Sequence, residues 1–117
     1  MPTMTPAEID AAEAALGMRL PEFYKQLLID VGHGRHGDRE IYHPSAVREL
    51  YEPFFEDATH LFAPYFPFGC DNMLQELWII DADAGLAASI WHETVPDDWP
   101  EEEWLPVDEW RRQYLSR

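Results

Sequence analysis

The 117 residues carry 23 acidic against 8 basic side chains, and the resulting charge of −15 repels phosphate backbones and anionic headgroups, which argues against direct nucleic-acid or membrane binding. A chain that is 46% hydrophobic and 14% aromatic is far richer in core-forming side chains than a disordered one, so the acidity belongs to the surface of one folded domain, 1–117, with a single core. Cys70 is the only cysteine, which excludes an intramolecular disulfide and suits a reducing cytoplasm, and no apolar run approaches the ~20 residues of a bilayer span.

Thr5-Pro6-Ala7-Glu8 opens a first helix: Thr5 caps, Pro6 loses nothing at the first helical position, and Glu8 completes a capping box. Ile9, Ala12 and Leu16 follow at helical spacing, and Gly17 supplies the left-handed closing residue. Leu20-Pro21 opens a second helix in which Phe23, Tyr24, Leu27, Leu28 and Val31 form a wide apolar stripe before Gly32. The stretch from Gly32 to Asp38, with three glycines and two histidines, reads as a mobile loop leading to a short strand at Glu40 to Tyr42. Ser45 is placed to cap a third helix bearing Val47, Leu50 and Tyr51.

From Leu61 the period changes. Phe66-Pro67-Phe68-Gly69 reads as a strand in which Pro67 calls for an edge or a bulge, and Leu74 to Ile80 and Leu86 to Trp91 are stronger strands. Asp81-Ala82-Asp83-Ala84-Gly85 between them has the chemistry of a hairpin turn. The segment from Pro96 to Trp104 is too acidic and too interrupted by proline for a regular element, and it reads as an exposed acidic loop with aromatic anchors. After Pro106 a last helix carries Val107, Trp110 and Tyr114 on one face, with acids early and arginines late as its dipole favours. The fold expected is α+β: N-terminal helices packed on one face of a small twisted antiparallel sheet, with a C-terminal helix.

The order of these pieces resembles the SUKH superfamily, the Smi/Knr-like domain, over nearly the whole chain. The resemblance rests on Ile9, Glu13 and Leu16-Gly17, on Leu20-Pro21-Glu22-Phe23-Tyr24-Lys25-Gln26-Leu27-Leu28 with Gly32 and Gly34 behind it, and on Phe66-Pro67-Phe68-Gly69 followed by Leu77-Trp78-Ile79-Ile80-Asp81. It implies a protein-binding domain without a catalytic centre or cofactor; many bacterial members are taken to be immunity proteins that bind and neutralise a cognate polymorphic toxin, often a nuclease or deaminase. The alternative is an intracellular regulatory or scaffold module that recruits a host protein. Val31-Gly32-His33-Gly34 departs from the family's Asn-Gly-Gly form, which touches the partner-facing surface more than the fold.

The expected partner-binding residues are Asp97, Asp98, Trp99, Glu101, Glu102, Glu103 and Trp104, acids that imitate phosphates to a basic toxin domain beside tryptophans suited to interface anchoring. The competing account is a solvated loop pinned to the core by its tryptophans. His33, His36, Asp38 and His43 bring metal-ligand types together without a zinc spacing, and a polar glycine-rich loop accounts for them better. Cys70 beside Asp71, or Asp81 with Asp83, are the best catalytic candidates. Neither has a supporting constellation, so Cys70 reads as a small strand-end residue and the aspartates as turn formers, and the chain is not expected to be an enzyme.

Overall fold

Helix α1 (Pro6–Leu16) begins as its sequence dictates: the Thr5 hydroxyl accepts the Glu8 N–H at 3.2 Å while Glu8 Oε1 accepts the Thr5 N–H at 3.0 Å. It ends at Gly17, whose φ of 71° only glycine adopts without cost. The Glu13 carboxylate reaches across the connection to accept the Leu20 N–H at 2.7 Å and lies 3.4 Å from Lys25 Nζ, which ties α1 to α2 (Glu22–Asp30). Tyr24, Leu27 and Leu28 are fully buried, and the Tyr24 hydroxyl donates to the Tyr42 carbonyl. The computed structural model describes residues 2–17, 19–51, 65–91 and 101–115.

The stretch read as a mobile loop is instead a hairpin. Strands β1 (Gly34–His36) and β2 (Arg39–Ile41) pair antiparallel, His36 opposite Arg39, across a two-residue turn led by Gly37 at φ 65°. The strand expected at Glu40 to Tyr42 is β2, one residue earlier. Helix α3 (Pro44–Tyr51) starts at Pro44, so Ser45 lies inside it and is not its cap; the His43 ring takes that place, with Nδ1 accepting the Ser45 N–H at 3.2 Å. A histidine ring nitrogen meets the free amide there, and proline begins the helix without an N–H to satisfy.

Strands β3 (Tyr65–Asp71), β4 (Glu76–Asp81), β5 (Leu86–Trp91) and β6 (Leu105–Pro106) continue the sheet in the order β1-β2-β3-β4-β5-β6, every described pair antiparallel. Pro67 sits at a bulge, where the register of β3 on β4 shifts between Pro67 and Gly69, and β2 pairs with β3 only from Gly69 onward. Leu74, expected to start the third long strand, lies in the turn before it and is exposed. The turn after β4 is built as its sequence implies: Asp81 Oδ1 accepts the N–H groups of Asp83 and Ala84, each at 3.1 Å, and Gly85 at φ 68° donates to the Asp81 carbonyl.

Alternation along β4 and β5 sorts the core into two layers. Phe66, Phe68, Trp78, Ile80 and Ala87 face α1 and α2 together with Trp110 of α4 (Val107–Tyr114), so the C-terminal helix lies on the same face as the first two. Ile79, Ala88 and Ile90 form a second cluster, with Leu77 and Trp104 packed on it. The unbroken apolar run Leu77-Trp78-Ile79-Ile80 is what a strand buried on both faces requires.

Candidate protein-binding surface

Asp97, Asp98 and Trp99 lie outside the described residues. Glu101–Glu103 form a 3-10 turn, Glu102 and Glu103 point into solvent, and Trp104 is half-buried on Ile79, Ala88 and Ile90. Leu105 and Pro106 then pair with Ala87 and Leu86 as β6. The acids are thus held at a fixed place beside the sheet by a tryptophan on one side and a strand on the other, where the sequence suggested no regular structure. Two residues of strand, one of them proline, carry no readable pattern of their own; the pairing with β5 makes them a strand.

Sequence reasoning missed a second feature, at the β3–β4 turn. Asp71 Oδ1 accepts the N–H groups of Met73 at 3.0 Å and Leu74 at 3.1 Å, and its Oδ2 lies 3.6 Å from Arg39 Nε, while Arg39 Nη1 donates to the Tyr114 carbonyl at 2.6 Å. One arginine thereby fastens the turn to the end of α4. Beside it Tyr42, Cys70, Asp71, Asn72, Gln75, Glu76 and Leu77 line a cavity of about 350 Å³.

Glu76 is the unusual group in this wall. Its Oε1 is buried with no hydrogen-bond partner, and no cation pairs with it among the described residues. Burial, and then the like charges of Asp71 and Glu103, push its carboxyl above the usual range. Asp71 and Glu103 thus act on the same carboxylate, so the acidic turn at Glu101–Glu103 and the cavity form one anionic region, in which Arg39 answers Asp71 alone.

The other candidates resolve differently. Burial pushes the Cys70 thiol up, away from the nucleophilic thiolate, and its Sγ lies 3.6 Å from Asn72 Oδ1. His60 and His92, which a cysteine hydrolase would need nearby, fall outside the described residues. Asp81 is occupied in its turn. Among the described residues no group of three or more His, Cys, Asp or Glu side chains is arranged to hold a metal.

His33 and His43 stack edge to face with ring centroids 4.8 Å apart. Burial, and then His33, hold the His43 pKa below its usual value against the opposing pull of Glu8. The unfolded chain therefore binds the proton first, so this histidine costs nothing above its unfolded pKa and stability falls as pH drops through and below about 6.5. The melting temperature should decline over that window. In His43→Asn, which keeps a capping side chain but cannot titrate, the decline should be shallower; an unchanged slope would contradict this role.

No helix among the described residues is long and apolar enough to cross a membrane. No curated protein matches the chain. The family model described as SMI1 / KNR4 family (SUKH-1) matches residues 3–115, from ahead of the α1 cap to the end of α4. With helices and sheet in the arrangement that the resemblance implied, and a match over nearly the whole length, the chain belongs to the SMI1/KNR4 family of the SUKH superfamily.

Proposed function

We propose that this protein is a non-catalytic binding domain of the immunity type, which occludes a basic toxin domain in the cytoplasm through its acidic surface, with Asp97, Asp98, Trp99, Glu101, Glu102, Glu103 and Trp104 forming part of the contact. Family membership is consistent with such a domain. The observation that carries the reading is the fixed position of the exposed Glu102 and Glu103, displayed by a turn that Trp104 anchors to the sheet and continuous with the unpaired charge of Glu76. Charges held in place suffer little entropic loss on pairing, and a field from a −15 chain steers a cationic partner toward them.

Reversing Glu101, Glu102 and Glu103 to lysine together tests it. Association with the partner at low salt should slow by on the order of tenfold or more and lose much of its salt dependence. The melting temperature should stay close to the parent's, because Glu102 and Glu103 are solvated. A triple variant that associates as fast as the parent would remove this turn from the contact.

A further inference from the structure

Three exposed apolar side chains surround the end of the sheet that holds the cavity. Met73 is 75% exposed, Leu74 58% and Trp91 53%, and Trp91 stands directly opposite Glu76 in the β4–β5 register, so the two share a face. Met73 and Leu74 are held out by the Asp71 side chain, which accepts their N–H groups, and the turn closes through Gln75 in a left-handed conformation, φ 55°, that few side chains adopt. The backbone thus spends an unfavourable conformation to present apolar groups around a carboxylate that lacks a counter-ion. Apolar rims around a polar centre mark interface anchor points, and lone exposed apolar residues would carry no such message.

We infer that the cavity bounded by Tyr42, Cys70, Asp71, Gln75, Glu76 and Leu77 receives a single arginine side chain of the protein partner, with Glu76 as its counter-ion and Trp91, Met73 and Leu74 gripping its stem and flanking residues. This rests on the protein-binding reading above and names the chemistry that would anchor the partner. Arginine fits better than lysine because a guanidinium is weakly hydrated, lies flat against an indole and still hydrogen-bonds a carboxylate, whereas an ammonium gives up more hydration on entering such a site. A cation there would also relieve the repulsion among Asp71, Glu76 and Glu103, of which Arg39 answers only the first.

The probe is N-acetyl-arginine amide titrated into the isotope-labelled full chain, followed by backbone amide signals, with the citrulline analogue as a neutral isostere. The arginine compound should move the signals of residues 70–77 saturably at millimolar concentration, and citrulline should leave them in place. Glu76→Gln should abolish the shifts while melting at or above the parent temperature, since the substitution removes a repelled charge. Equal shifts from citrulline, shifts confined to residues 101–104, or retained binding in Glu76→Gln would each overturn the assignment. The experiment involves no protein partner, so such a failure leaves the protein-binding reading standing; a Glu76→Gln chain that fails to bind arginine but holds a partner with unchanged affinity would likewise remove the cavity from the interface and keep the function.

Discussion

Replacing Trp110 by alanine should destabilise the domain by about 3–5 kcal/mol, a large part of the roughly 5–15 kcal/mol that a domain of this kind possesses. Trp110 is fully buried at the point where three elements meet: its ring stands edge-on to Phe68 of β3 at 5.0 Å and to Trp78 of β4 at 5.2 Å, and edge-on to Phe23 of α2 at 6.1 Å. Its Nε1 donates to Ser89 Oγ at 3.2 Å, so truncation also leaves a buried hydroxyl without that partner. The loss should detach α4, and with it the carbonyl of Tyr114 that holds Arg39 against the β3–β4 turn. Urea unfolding measures the effect; a cost below about 1 kcal/mol would mean that α4 contributes little to the core. Trp110→Phe keeps most of the apolar surface and should cost visibly less.

Gly69→Ala should cost about 3 kcal/mol, although it adds a single methyl group. Gly69 is central in the sheet, paired with Ile41 on one side and Trp78 on the other, and it follows the bulge at Pro67. A Cβ there would press on the Glu40 carbonyl oxygen and approach Trp78 Cε3 to 2.8 Å. Neither obstacle yields readily: the first is backbone in a paired strand, and the second is the face of a fully buried indole. Relief requires β2 to separate from β3, so amide exchange in residues 39–41 should accelerate more than in β5. An alanine variant as stable as the parent would show that β2 can shift without loss.

Sequence and structure agree where a local signal has one backbone consequence. Thr5, Pro6 and Glu8 specify a helix start, Asp81 and Gly85 specify a turn, and Leu86 to Trp91 forms a strand with the expected bounds. The short strands were harder to read. β1, β2 and β6 hold three, three and two residues, too few for alternation to show, and pairing with β3 and β5 creates them. Gly37-Asp38 did carry a hairpin signal, hidden among glycines that looked like a loop.

The candidate site divides in the same way. The acidic run ahead of Trp104 is plain in the sequence, and Trp104 packs on the sheet as the pinned-loop alternative expected, while its partial exposure leaves an edge to meet a partner. The cavity was not legible. Tyr42, Cys70 and Glu76 come from three strands, and only the register of β2 on β3 and of β3 on β4 brings them together. The one trace was an acid, Glu76, at the start of an apolar strand, a position that favours uncharged side chains.

The central claim, that this domain grips a basic protein, is tested most directly by capturing partners of the tagged chain from a lysate of its source organism at low salt and then co-expressing the captured domain with this chain. A basic domain that elutes as salt rises, that stops growth when expressed alone and that is harmless when this chain is present is the predicted result. A partner retained without regard to salt, or one whose effect on growth this chain leaves unaltered, would contradict the account.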